Sequence, residues 1–278
     1  MSRIRFLSYR PGSSSCRLLS SELSIPRVFL DPDRSHFKVK ETDIIINWGY
    51  SGPIPKHLAN CKNWVNNPVN VGLASDKLKC FKTLKNAEVP VPQFTTSRYE
   101  AELWLNGESL DDDEEGRACD IVCRSLLNSH SGKGISIVEK PVDEDFDFKT
   151  IEELCPLYVK YIPKMYEYRV HVLPGEEDTI IVRQKLRDRD IENDDINWKI
   201  RSHNNGFIFA QNLTYKPDGI ENLAAKAVSS LGLSFGAVDI VYNQKYNKMY
   251  VLEVNTAPGL EGSTIDWYVE SFNKYLKR

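Results

Sequence analysis

Apolar residues in this chain follow two rhythms. In the N-terminal quarter they come as short runs between turns. Residues 4–8 (IRFLS) and 43–47 (DIIIN) read as strands, with a third at 28–30 and a helix at 16–23 after the Pro-Gly-Ser turn at 11–15. The unbroken Ile44-Ile45-Ile46 run marks a strand covered on both faces, as in a parallel sheet. A small α/β unit is expected there. Further on, Leu78, Phe81 and Leu84 give one face of a helix over 75–86, which Pro90 and Pro92 end. Ser97 followed by Glu100 has the spacing of a capping box for a second helix, which stops near Gly107. Strands are read at 119–126, 134–139, 157–162, 168–173 and 179–184. Over 218–231, Ile220, Leu223, Ala224, Ala227, Val228 and Leu231 form a helical stripe, and Gly232 stands where a C-terminal cap belongs. Residues 106–118 and 187–199 are polar and are read as loops.

The most informative pattern lies near the C-terminus. Residues 235–242 (FGAVDIVY) and 249–255 (MYVLEVN) are two strands separated by a polar turn at 243–248. Folded as an antiparallel hairpin about Tyr246, they bring Asp239 opposite Glu253. Alternation along a strand puts Glu253 and Asn255 on one face. Val238, Ile240, Leu252 and Val254 are expected on the other, apolar face. Two adjacent carboxylates repel unless a cation or proton is shared between them. A hard cation with oxygen ligands resolves this, and magnesium keeps positions for water and phosphate. A solvated or lysine-paired strand end is the bland alternative.

Composition narrows the field. The net charge of −3 gives no general attraction to nucleic acid or to an anionic membrane, so neither is expected as a partner. The six cysteines show no CxxC or zinc-type spacing, and reduced thiols in a cytoplasmic protein are expected. Arg3, Arg5 and Arg10 interrupt any signal-peptide core. No apolar run approaches the roughly 20 residues that span a bilayer.

Residues 129–134 (SHSGKG) form a glycine- and serine-rich loop between two strands, able to offer backbone N–H groups to phosphates. It is not a Walker A loop, since Gly134 follows Lys133 and a strand comes next. Lys77, Arg124, Lys160 and Arg169 are candidate phosphate cations. Singly each is as readily a surface charge, but Arg124 and Arg169 interrupt apolar strands, where an unpaired charge is costly. Arg183 continues the apolar run Ile180-Ile181-Val182, and either a functional charge or a salt bridge to the acidic stretch 188–195 accounts for it. Lys185, Arg187 and Arg189 either greet an acidic substrate or form a solvated face.

Together these features resemble the ATP-grasp superfamily over roughly residues 64–265. The resemblance implies an α+β ATP-grasp fold, two α+β subdomains clasping ATP, preceded by a small α/β N-terminal domain. The corresponding segments are 1–75 (pre-ATP-grasp domain), 76–160 (small subdomain with the glycine-rich loop) and 161–278 (C-terminal subdomain with the metal site). Lys77 resembles the lysine that approaches ATP phosphate, and Arg124 stands at the phosphate-binding cation. Ser131, Gly132 and Gly134 belong to the flexible glycine loop. Tyr158, Val159, Lys160 and Tyr161 look like the hinge strand that receives adenine through backbone groups, and Glu167 like the residue that contacts ribose. Asp239, Glu253 and Asn255 match the magnesium ligands, manganese being an alternative.

The segment 255–264 (NTAPGLEGST) is similar to a substrate-holding turn of D-alanine–D-alanine ligases, which points to Gly259 and Ser263. The stretches 167–169 and 201–206 look more like ligases that add amino acids to proteins or peptides, such as ribosomal-protein glutamate ligases. The implied activity is ATP-dependent carboxylate-amine ligation through an acyl phosphate, releasing ADP and phosphate. Arg183, Arg201 and Arg169 are the candidates for stabilising the transferred group. His203 and Asn204 are candidates for touching substrate, His203 being equally a loop histidine. The acceptor class (small molecule, peptide or protein amine) stays open. A small-molecule kinase on the same fold and an ATP-binding interaction protein without turnover are the rival readings.

Overall fold

A computed structural model describes residues 2–35, 37–108, 116–128, 133–141, 148–175, 180–188, 190–191, 197–201 and 205–277. The chain begins with strand β1 (Ile4–Ser8), helix α1 (Ser14–Glu22), and strands β2 (Arg27–Val28), β3 (Ile44–Trp48) and β4 (Asn63–Val65). These strands form a parallel sheet in the order β2-β1-β3-β4. Both faces are covered, as the apolar runs required. Phe6, Ile46 and Trp48 face one cluster with Cys16 and Leu19 of α1. Leu7 and Ile45 face another with Val28 and Leu58.

Two helices follow where one is expected over 75–86: α2 (Pro68–Ser75) and α3 (Lys77–Asn86). The start of α2 was signalled by Asn67, whose side chain accepts from Val69 N–H at 2.9 Å, and by Pro68 in the first turn. The break falls at Asp76, which turns extended and caps α3 by accepting from Lys79 N–H at 3.0 Å. Next come β5 (Phe94–Thr95) and α4 (Arg98–Asn106). Ser97 caps α4 as expected, but Glu100 accepts from the Thr95 hydroxyl, so the capping box is half made. Gly107, at φ +83°, ends α4 in the left-handed region.

Strands β6 (Ile121–Arg124), β7 (Ile135–Val138) and β8 (Leu157–Lys160) complete an antiparallel sheet in the order β5-β8-β6-β7. A larger antiparallel sheet follows, built from β9 (Tyr166–Val172), β10 (Ile180–Arg187), β11 (Phe207–Ala210), β12 (Gly236–Asn243) and β13 (Lys248–Asn255), in the order β11-β10-β9-β12-β13. Helix α5 (Ile220–Ser230) lies on one face with α2 and α3, burying Tyr168, Val170, Val238, Ile240, Val251 and Val254. The last helix, α6 (Thr264–Leu276), was not read from the sequence, although Tyr268 and Phe272 stand four apart. It returns to the N-terminal sheet, where Phe272 meets Phe6 and Phe235 edge-on at 5.8 and 5.5 Å. All six cysteines are unpaired. Among the described residues, no helix is long and apolar enough to cross a membrane.

Candidate functional site

The β12–β13 hairpin sets the centre of the site. Near its turn, Asn243 lies across from Lys248 and Ile240 from Val251. That register, extended unchanged, would put Asp239 opposite Leu252. An irregularity between Asp239 and Ile240 shifts the pairing by one residue, so Asp239 faces Glu253 and Ala237 faces Asn255. A bulge of this kind re-aims side chains beside it. Its consequence corrects one expectation: Val251 joins Val238, Ile240 and Val254 in the core, whereas Leu252 turns to the cavity.

Ladder pairing extends this row across adjacent strands. Arg183 of β10 lies across from Arg169 of β9, which lies across from Asp239, which lies across from Glu253. Two cations and two carboxylates therefore project from one sheet face. Arg169 grips Asp239 with both prongs, Nε to Oδ1 at 2.7 Å and Nη2 to Oδ2 at 2.8 Å. Lys77, at the start of α3, donates to Glu253, and Asn255 Nδ2 donates to Glu253 Oε1 at 2.8 Å. Burial drives the Asp239 pKa above the ordinary carboxylate value even though Arg169 opposes it. At Glu253 burial acts the same way, but Lys77, its hydrogen bond and Arg169 outweigh it and hold the carboxyl well below the usual range.

This face opens into a cavity of about 1090 Å³ bounded by both antiparallel sheets and the N-terminal domain. Phe81, Val122, Ile135, Ile137, Val159 and Leu252 are among its apolar walls. Arg124 lines it as a cation whose Nε is buried without a hydrogen-bond partner among the described residues. A buried, unsatisfied guanidinium N–H is a place for an anion. The donor set of two carboxylates and an amide suits a hard divalent cation. The residues present thus fit a metal–polyphosphate ligand.

At the opposite end, Glu167 is 4% exposed and held by Lys185 and by Lys164 at 3.5 Å. The two lysines pull its pKa down against the effect of burial. Arg201 donates to the carbonyls of Met165 and Lys164 at 3.2 Å each, while Lys185 donates to the Arg201 carbonyl at 2.8 Å. Lys199 crosses to the small sheet, reaching Asp120 at 2.7 Å and Glu139 at 2.5 Å.

Of the residues singled out from sequence, Lys77, Arg124, Val159, Lys160, Tyr161, Glu167, Arg169, Arg201, Asp239, Glu253, Asn255 and Gly259 line this one cavity. Others lie elsewhere. Tyr158 points into the core under α4, its hydroxyl accepting from Cys155 N–H and donating to the Glu153 carbonyl. On the strand read as receiving adenine through backbone groups, the Lys160 and Tyr161 N–H groups donate to Gln93 O and Asp120 O at 2.9 Å each. Gly134, at φ +69°, closes the β6–β7 hairpin through Ser125, away from the cavity wall. Arg183 projects from the same sheet face but reaches Thr264 at 2.8 Å and Ser263 at 3.3 Å and lies over Trp267, beside the residues that line the cavity. Ser131, Gly132, His203 and Asn204 lie outside the described residues.

The sequence reading missed Lys164 and Lys199, and also Tyr9, Arg10, Gly49 and Ser51, which bring the N-terminal domain to the cavity. Gly49 carried a usable signal as the glycine directly after an apolar strand. At φ +82° it packs so close that a Cβ would stand 2.6 Å from Ala257 Cβ.

Residues 74–260 match the family described as ATP-grasp domain. No curated protein matches the chain. Among solved structures, the chain is similar to D-alanine–D-alanine ligase from Bacillus anthracis, with TM-score 0.59 and 14% identity over 100% of this chain and 99% of that one. It is similar to the macrocyclase MdnC bound with precursor peptide MdnA from Microcystis aeruginosa, with TM-score 0.60 and 14% identity over 98% and 99%. A third likeness is to N5-carboxyaminoimidazole synthetase from Staphylococcus aureus complexed with ADP, with TM-score 0.62 and 15% identity over 98% and 78%. At these identities the likeness is one of fold.

Proposed function

The chain belongs to the ATP-grasp family, and from that premise we propose that it is an ATP-dependent ligase that joins a carboxylate to an amine. One observation carries the reading: the Asp239, Glu253 and Asn255 set faces the same cavity as Lys77 and as Arg124, whose Nε has no hydrogen-bond partner among the described residues. An acidic oxygen set beside a carboxylate-paired lysine and an arginine with an unsatisfied N–H suits a metal-bound polyphosphate. Asp239, Glu253 and Asn255 would hold magnesium, which supplies charge neutralisation of the phosphates when bound. Lys77 and Arg124 receive phosphate oxygens, and the apolar walls around Val122 and Ile137 receive the base. Arg201, which lines the same cavity, stabilises the transferred phosphoryl group and the acyl phosphate.

The reaction has two steps. An oxygen of the substrate carboxylate attacks the γ-phosphorus, forming a C–O–P linkage as the bond to the β-phosphate oxygen breaks and ADP leaves. The amine then attacks the acyl carbon, forming C–N as C–O breaks; phosphate leaves and the ammonium proton passes to solvent. Such chemistry asks mainly for positioning and charge stabilisation, and the cavity's paired and unpaired cations supply both. The similar structures include a D-alanine–D-alanine ligase, a macrocyclase bound with a precursor peptide and an N5-carboxyaminoimidazole synthetase, and a free amino acid or peptide is the substrate class we propose. We assign 1–75, 76–160 and 161–278 as the three domains. Unpaired cysteines throughout support a cytoplasmic setting.

The test is magnesium-dependent ADP release with pooled carboxylates, amines and peptides, run beside Glu253→Ala. ADP formation that needs both a carboxylate and an amine, and is lost in the variant, is expected. ADP formation with a carboxylate or alcohol and no requirement for amine would replace ligation by phosphorylation.

A further inference from the structure

Both carboxylates of the candidate metal site carry a protein cation, and the two cations are held differently. Arg169 sits in the ladder beside Asp239 and clasps both of its oxygens. Lys77 comes from another element. Its backbone N–H is anchored to the Leu127 carbonyl at 3.0 Å, and the Asp76 cap fixes the helix start beneath it. A flexible stem carries its ammonium to Glu253, and the residue is 5% exposed. An arginine fork matches a carboxylate at two points, whereas lysine is a point charge that re-aims by rotation. Lys77 is therefore the exchangeable counter-ion and Arg169 the fixed one.

We propose that Lys77 closes the carboxylate site to a free divalent cation, and that an arriving nucleotide polyphosphate opens it by drawing Lys77 off Glu253. This rests on the reading of the cavity as a nucleotide and metal site. The exchange follows from charge. Arg124 attracts phosphate first, since its guanidinium has no carboxylate partner among the described residues and lines the same cavity. A polyphosphate beside Lys77 then offers more negative charge than one carboxylate. Once Lys77 turns, Glu253 is a buried carboxylate without its cation, which is costly unless another cation arrives. Metal and nucleotide thus promote each other's binding, and linkage makes the effect reciprocal.

The measurements use the whole chain, with Mn2+ and ADP as probes and isothermal titration calorimetry as the readout, so turnover is not needed. Wild type is expected to bind Mn2+ about 5- to 150-fold more tightly with ADP than without it. Lys77→Met is expected to strengthen Mn2+ binding in the absence of ADP and to shrink that coupling. Lys79→Met serves as the control, since Lys79 is an exposed lysine on the same helix. The near-isosteric Glu253→Gln is expected to bind ADP in EDTA more tightly than wild type, because Lys77 is released to phosphate. That gain should vanish in the Lys77→Met background. A gain that persists in full without Lys77 would mean simple repulsion by Glu253 and would overturn the exchange, as would Mn2+ affinity unchanged in Lys77→Met. Failure of every folded variant, wild type included, to bind ADP would instead overturn the nucleotide reading and this inference with it.

Discussion

Replacing Arg169 by Met should reveal how the charge row is held together. The substitution removes both hydrogen bonds to Asp239, at 2.7 and 2.8 Å, and leaves a carboxylate that is 6% exposed and lies across from Glu253. Taking one partner from a buried pair costs about 3–5 kcal/mol. The Arg169 side chain is 20% exposed toward the cavity, so some water can reach the vacated space. The lower end, about 3 kcal/mol, is therefore expected, a large share of the roughly 5–15 kcal/mol that holds a domain folded. The sign of the pH dependence follows from Asp239. Burial already raises its folded pKa, and Arg169 is the main opposing attraction; without it the folded value rises further above the unfolded one. A group raised in the folded state favours folding at low pH and loses that contribution as pH rises through its folded value. The variant's deficit should therefore be largest at pH 8 and smaller at pH 5, measured as the shift in urea midpoint. Asp239→Asn in the same chain should recover most of it by removing the unpaired charge. A deficit below about 1 kcal/mol, or one that Asp239→Asn leaves untouched, would refute the idea that Asp239 depends on Arg169.

Gly49→Ala should lower the melting temperature, since it forces a side chain into φ +82° and puts a Cβ 2.6 Å from Ala257 Cβ. Adding Ala257→Gly should relieve the steric part and leave the backbone penalty of about 1–2 kcal/mol. His171, buried against Tyr268, has its pKa lowered to about 3 by burial and then by Arg169 and Arg183. Its protonation favours the unfolded chain, so stability should fall as pH drops from about 6.5 toward 3. His171→Gln should flatten that part of the pH–stability curve, and an unchanged slope would exclude the residue as its source.

What the sequence could announce was the side of each element. Alternation in 249–255 set Glu253 and Asn255 on one face, and the triple isoleucine announced a strand covered on both sides. Pairing of charges was not announced. Counting about Tyr246 brought Asp239 opposite Glu253, but the true turn register would have missed by one without the bulge, so the right answer came through a feature that no local pattern signals. Glu167 illustrates the same limit. Its place in the cavity followed from the motif order, yet the two lysines that hold it come from the segment just before it and from the next strand. Arg183 shows another side of the limit. A charge in an apolar strand reads equally as functional or as paired with the acidic stretch, and among the described residues it meets the hydroxyls of Ser263 and Thr264 and the Trp267 ring. Polar hydroxyls leave no periodic trace. Helix α6, by contrast, carries a readable apolar spacing, with Tyr268 and Phe272 four apart on its buried side.

The cavity's third wall explains why α6 and the N-terminal sheet are joined. The loop after β13 carries Asn255 into Thr256, Ala257, Pro258 and Gly259, all at the cavity. Such a loop would place Asn255 loosely if it hung free. Two contacts prevent this: Ser15 of α1 accepts from Leu260 N–H at 3.0 Å, and Ala257 rests against Gly49. The helix that follows buries Tyr268 and Phe272 among Phe6, Trp48 and Phe235. The end of the carboxylate strand is thus clamped by the N-terminal domain on both sides of the loop. A site whose ligands must be held within a fraction of an ångström needs such support from neighbouring packing. The N-terminal sheet with its loops consequently has two roles in one place. It closes the cavity with Tyr9, Arg10 and Ser51, and it fixes the strand that bears Glu253 and Asn255. On the proposed reading of the cavity, loosening the Gly49–Ala257 contact should therefore weaken Mn2+–ADP binding as well as folding, which ties the stability of this junction to that proposal.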